Sequence, residues 1–182
     1  MNVRDVLRLQ RIPIITLLDG GANVTCIDSD LAERLKLPII RTDKKTVHYL
    51  NKASTVQSNE VEFELICQSD LSIVTLRGWT IKDLALQTGC VNWYNDRNKF
   101  EYLKDIPFPP LPKDGKISVL IGTNYPGLFT QIQQKTHPDY LCNPELPIAV
   151  QYQLGWSIIG PNFKNDNMDK VRRRVSFNLT EA

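Results

Sequence analysis

Apolar positions dominate from Ile12 to Leu18 and stop at Asp19, which two glycines follow. A run this short, bounded by Gly, reads as a mostly buried strand. Val24 to Ile27 reads as a second short strand leaving the turn. Asp30 to Leu35 has the composition of one or two helical turns, with Asp30 as N-cap, Glu33 three residues on and Pro38 beyond the end. Two strands, Thr46–Leu50 and Thr55–Cys67, are expected to join through Asn51-Lys52-Ala53-Ser54; Val61, Phe63, Leu65 and Cys67 alternate with Glu62, Glu64 and Ile66. Leu71–Ile81 and Asp83–Gln87 are further strand candidates. Between Gly89 and Lys116 the prolines at 107, 109, 110 and 112 end regular structure, after a short helix over Asn98–Lys104. Ile117 to Gly122 reads as a strand ending at Gly, and Thr123–Phe129 as a helical start that Pro126 holds to one turn. After a polar loop, Ile148, Val150, Tyr152, Leu154, Trp156 and Ile158 alternate strictly with their neighbours, which predicts one strand with a bulge or bend at Gly155.

This order predicts a mostly β protein with one or two short helices. Residues 1–11 form a lead-in, 12–161 a single domain and 162–182 a polar, flexible tail. The length of 182 residues and 42% hydrophobic content suit one domain with a core. A net charge of +2 is too mild to argue for nucleic acid, and Arg172-Arg173-Arg174 reads as a solvated tail segment. No run reaches membrane-span length, and Met1–Gln10 lacks the apolar stretch of a signal peptide. Asn23-Val24-Thr25 and Asn178-Leu179-Thr180 therefore read as chance matches to the glycosylation pattern. Cys26 and Cys67 fall within strand patterns and read as buried small hydrophobes, while nothing local decides whether Cys90 and Cys142 pair. No CxxC pair exists, and His137 with Cys142 is too few for zinc; no metal or cofactor is expected. His48 and His137 lack an accompanying Ser or Cys motif, and Trp156 lies on the alternating apolar face as a core residue.

Asp19 is where chemistry concentrates. A carboxylate ending a buried strand costs desolvation energy unless a partner or a reaction uses it. Gly20 and Gly21 allow a tight turn and close backbone approach, although Asp-Gly by itself is an ordinary turn. Peptide hydrolysis by paired carboxylates needs two Asp side chains sharing one proton: the charged one activates water and the protonated one polarises the scissile carbonyl. The chain holds one such loop, so the second carboxylate must be Asp19 of another copy, and a two-fold homodimer supplies it.

Three segments together resemble the retropepsin-like aspartic peptidases of BEL/Pao retrotransposons: LLDGGANVTCIDSDLAERLKL, ISVLIGTNY and IAVQYQLGWSIIGP, in that order between Ile12 and Pro161. The resemblance implies a retropepsin-like closed barrel that dimerises and releases mature proteins from its own retroelement polyprotein. It implies a cytoplasmic setting within retroelement particles. The catalytic role carries over to Asp19, with Gly20, Gly21 and Ala22 as its loop and Gly122 as the glycine of the packing segment. Asn23, Thr25, Thr123 and Asn124 support the loop. The substrate would lie extended between subunits against Ile121, covered by the turn holding Leu50, Asn51, Lys52 and Ala53.

Two departures stand out. The family places Thr or Ser after the catalytic Asp, where its hydroxyl bonds across the dimer; Gly20 has none. A weaker dimer and slower catalysis are expected, and the alternative is an inactive retropepsin-like dimerisation or peptide-binding module. Where many viral relatives carry an acid–Arg ion pair, this chain has Asn23 and Thr123, for which a neutral hydrogen bond between the two is expected.

Overall fold

The computed structural model describes residues 11–49, 52–82, 84, 91–112, 115–161 and 177–181. The chain is mostly β. β1 (Pro13–Leu18) is followed by β2 (Cys26–Asp28), α1 (Ser29–Arg34), β3 (Ile39–Tyr49), β4 (Lys52–Ile66) and β5 (Ile73–Ile81). Next come one turn of helix, α2 (Trp93–Asp96), two 3₁₀ turns (Arg97–Lys99 and Glu101–Leu103), β6 (Ile117–Ile121) and a 3₁₀ turn over Pro126–Phe129. The last strands are β7 (Gln133–Lys135), β8 (Ile148–Tyr152), β9 (Gly155–Ile159) and β10 (Phe177–Glu181).

Seven strands form one mixed sheet in the order β10-β1-β6-β2-β5-β4-β3. β1 runs parallel to β6, and β2 parallel to β5; the other neighbours are antiparallel. β10 also meets β4 at a single position, Glu181 opposite Ile66. That contact does not amount to the closed barrel expected from the sequence. β7, β8 and β9 make a separate antiparallel sheet.

β1 is apolar throughout because both its faces are covered: Ile14, Ile15, Thr16 and Leu17 are all buried. Ile14 joins the main core with Ile27, Leu31, Val61, Phe63, Leu65, Leu76, Val119 and Ile121. Ile15 and Leu17 pack on the other side with Ile117, Leu111 and Leu120. A second core sets Leu103, Ile106 and Phe108, from the 3₁₀ turns and the proline-rich loop, against Ala149 and Ile158 of the small sheet. Trp93, Phe100, Tyr102 and Trp156 pack around it.

Several local expectations are corrected. The N-cap of α1 is Asp28, whose side chain accepts from the backbone N–H groups of Asp30 and Leu31. Asp28 is extended (φ −60°, ψ 132°) and Ser29 already opens the helix, so Asp30 lies inside the first turn. The helix expected over Asn98–Lys104 is the pair of 3₁₀ turns, preceded by α2. The single strand expected over Ile148–Ile158 is a hairpin: Gln153-Leu154 is a two-residue turn and Tyr152 pairs with Gly155. Gly155 is required there, with φ +134°, and a Cβ would lie 2.9 Å from the Gln68 side-chain oxygen. β10 lies within the segment expected as a polar tail, paired along β1 from Pro13↔Glu181 to Leu17↔Phe177. Most of the Asp83–Gln87 strand candidate lies outside the described residues.

Candidate active site

The parallel ladder of β1 and β6 places Asp19. Its backbone N–H donates to the Ile121 carbonyl at 3.0 Å, continuing the ladder one residue past the end of β1. The chain then folds back: Gly21 N–H donates to Asp19 Oδ1 at 2.9 Å, and Ala22 N–H to the Asp19 carbonyl at 3.2 Å. A donor at Oδ1 fixes the orientation of the carboxylate. Asp19 is half-buried, while Gly20 and Gly21 are exposed.

The end of β6 braces this loop. Thr123 N–H and Thr123 Oγ1 both donate to the Ala22 carbonyl, at 2.8 and 3.0 Å. Thr25 Oγ1 accepts from Gly122 N–H at 3.2 Å and donates to Asn124 Oδ1 at 3.0 Å. Thr25 is buried, so satisfying both functions of its hydroxyl matters. Its carbonyl accepts from Trp79 N–H at 2.9 Å, which ties the loop to β5 as well. Gly122 is the contact point: a Cβ there would stand 2.7 Å from the carbonyl carbon of Val24 and 2.8 Å from its nitrogen. Only a residue without a side chain lets β6 pass this close to the Asp loop.

Residues far apart in the chain thus converge. Asp19, Gly21, Ala22, Thr25, Gly122, Thr123 and Asn124 form one hydrogen-bonded unit. Asn23 is exposed, and the Thr123 hydroxyl serves the Ala22 carbonyl rather than the Asn23 side chain. Ile121, expected along the substrate wall, is fully buried in the main core. Of the expected cover, Leu50 and Asn51 lie outside the described residues; Lys52 and Ala53 begin β4, paired with Tyr49 and His48. The space at Gly20 is open, with no atom within 4 Å of a Cβ built there.

The sequence did not single out Tyr125. Its hydroxyl accepts from Arg77 N–H at 2.7 Å, fastening the segment after Gly122 to β5. Trp79 had no signal either; its ring lies under the side chains of Arg41 and Lys45. Cys26, on β2, is half-buried, and that burial pushes its thiol from 9.0 up to about 11. Cys67 and Cys142 are free thiols like Cys26, and Cys90 lies outside the described residues. Among the described residues no group of three His, Cys, Asp or Glu side chains is arranged to hold a metal. No helix among them is long and apolar enough to cross a membrane.

The chain matches no protein-family model, no curated protein and no solved structure.

Proposed function

We propose that this chain is an aspartic endopeptidase of the retropepsin type, a homodimer in which each subunit contributes one Asp19. The observation that carries the reading is the braced loop: a half-buried carboxylate at the end of β1, oriented by Gly21 N–H, on a turn fastened to Gly122, Thr123 and Asn124. A turn aspartate with only a local role has no need of bonds from a segment about a hundred residues away. Rigid support of this kind suits a group that must be held for chemistry.

In the proposed dimer the two loops meet at the two-fold axis. The two carboxylates share one proton, since like charges at that distance do not both ionise. The charged member takes a proton from water, the water attacks the peptide carbonyl, and the protonated member polarises that carbonyl. The dyad titrates as a unit, and either Asp19 fills either role. The polypeptide, a segment of the retroelement's own polyprotein, lies extended between the subunits under the β3–β4 hairpin. No metal, cofactor, nucleic acid or membrane enters the reaction.

Gly20 favours a second reading, a dimerisation or peptide-binding module without activity. A loop lacking the hydroxyl after its Asp has fewer bonds to hold two copies together. Sedimentation over a concentration series, run beside cleavage of peptides with apolar residues at about pH 5–6, separates the two. The peptidase reading expects cleavage that follows the dimer fraction and disappears in Asp19→Asn. A chain that binds peptide or dimerises but cleaves nothing at any concentration supports the module instead.

A further inference from the structure

β4 is paired with β5 only from Glu60↔Trp79 to Ile66↔Ile73, yet β3 and β4 continue together from Thr42↔Asn59 to Tyr49↔Lys52. Beyond Glu60 the two strands therefore run on as a two-stranded ribbon, roughly 25 Å long at about 3.3 Å per residue. A two-stranded ribbon is only marginally stable alone, so its direction depends on what holds its root. At the root the backbone ladder gives way to side-chain bonds. Ser58 Oγ donates to the Thr80 carbonyl at 2.8 Å, and Asn59 N–H donates to Thr80 Oγ1 at 3.0 Å.

One further contact spans the boundary between ribbon and sheet. Lys45 stands on the ribbon, opposite Val56. Its ammonium lies 3.9 Å from the centroid of the Trp79 ring, which belongs to β5. The Arg41 guanidinium, at the root, lies 5.2 Å from the same ring. Two cations over one ring repel each other, and each has its own carboxylate: Glu60 at 2.5 Å from Arg41 and Asp43 at 3.0 Å from Lys45. Trp79 is only 7% exposed beneath them. Strand alternation puts residues 41, 43 and 45 on the same side of β3 and turns Lys44 to the other.

We propose that Trp79, Arg41 and Lys45 form a latch that sets the position of the β3–β4 ribbon relative to the seven-stranded sheet. Lys45 acts as the stay, because it is the member that sits on the ribbon side of the root. On the reading above, in which this hairpin covers the substrate, the latch governs how readily the cover opens. The latch itself does not depend on that reading, and its test needs no catalysis.

The experiment is native-state amide hydrogen exchange on the full chain. Lys45→Met keeps the side-chain stem and removes the charge. It should raise exchange at backbone amides of residues 43–48 and 53–57 by about five-fold, in the range a lost cation–π contact allows. Residues 61–66, inside the β4–β5 ladder, should keep wild-type protection. Lys45→Arg retains a cation and should restore the ribbon's protection; Lys44→Met should leave it unchanged. Trp79→Leu should match Lys45→Met at the ribbon, even if it also lowers global stability. Wild-type ribbon exchange in Lys45→Met overturns the latch. So does an equal rise in Lys44→Met, or one that spreads evenly to residues 61–66. If peptide cleavage is absent while ribbon exchange responds as stated, the peptidase reading fails and the latch stands.

Discussion

Replacing Gly122 by Ala should damage the candidate site more than any other single methyl group. The new Cβ would stand 2.7 Å from the Val24 carbonyl carbon and 2.8 Å from its nitrogen. Ordinary carbon contacts begin near 3.5 Å, so β6 and the loop must separate by roughly 1 Å. Both neighbours are backbone, and neither can rotate away. Overpacking of this kind costs about 1–3 kcal/mol. Separation also stretches the bond from Gly122 N–H to Thr25 Oγ1 and the one from Thr123 N–H to the Ala22 carbonyl, each worth about 1 kcal/mol. Against this, the unfolded chain loses freedom when Gly becomes Ala, which offsets about 0.4–1 kcal/mol. The net expectation is a loss of about 3 kcal/mol.

Urea unfolding at one fixed protein concentration measures it, because any dimerisation makes stability depend on concentration. For a chain of this size the melting temperature should fall by roughly 6–12 °C. Gly20→Ala and Gly127→Ala are the matched controls: neither built Cβ has an atom within 4 Å. Both should gain about 0.4–1 kcal/mol from that same loss of freedom in the unfolded chain. A Gly122→Ala protein less than about 1 kcal/mol below these controls would refute the claim that close passage of β6 against Val24 holds the loop.

On the proposed dimer, Gly20→Thr should restore one cross-subunit bond from each copy, about 2 kcal/mol together and so about 30-fold in the dimer dissociation constant; an unchanged constant in sedimentation refutes it. Asp28→Ala removes the acceptor for the Asp30 and Leu31 N–H groups and should cost about 1 kcal/mol by urea unfolding, whereas Asp30→Ala should cost markedly less. Burial raises the Cys26 thiol from 9.0 to about 11, so its stabilising contribution is complete below pH 9 and is lost as pH rises through 11. Unfolding at pH 8 and pH 10.5 should show a loss on the order of 2 kcal/mol that is smaller in Cys26→Ala; equal losses in the two proteins refute it.

Legibility in the sequence followed burial. β1 was readable because both its faces are covered, and the stop at Asp19 marks where that cover ends. The inner half of β4 was readable because only one face is buried, so Val61, Phe63 and Leu65 alternate with polar residues. The first half of β3, ahead of the strand expected from Thr46, carries no such pattern. Arg41, Thr42, Asp43 and Lys44 are all exposed and polar, so no apolar period is there to read. The β8–β9 turn was hidden for the opposite reason. Gln153-Leu154 lacks the Gly or Asn that usually marks a two-residue hairpin, and Leu154 is itself buried, so apolar alternation runs straight through the turn. β7 is polar and lies at the edge of its sheet, with nothing to distinguish it from loop. In the site, Gly21 and Gly122 were found as motif letters and Thr25 and Asn124 were named as supports through the resemblance, but their meeting across 99 positions was not anticipated. Local pattern does not encode that pairing; the antiparallel placement of β2 beside β6 creates it.

The three glycines of the site differ in what requires them. Gly122 is required by the chain itself, because a side chain would strike Val24. Gly21 is nearly so, since a Cβ would lie 3.2 Å from the Asp19 carboxylate that its own N–H contacts. Gly20 meets nothing within 4 Å, and its φ lies outside the left-handed region, so its backbone accepts any residue. Neither packing nor backbone strain within one subunit accounts for a glycine at that position. On the proposed dimer, the residue that belongs there is decided by what lies beyond the subunit surface. In the proposed dimer that is the same loop of a second copy, and the absent hydroxyl costs association while leaving the fold untouched. Folding stability and dimer affinity should therefore respond separately at position 20 and together at position 122. On the proposed dimer, that separation would tie Gly20 to assembly rather than to decay of the fold.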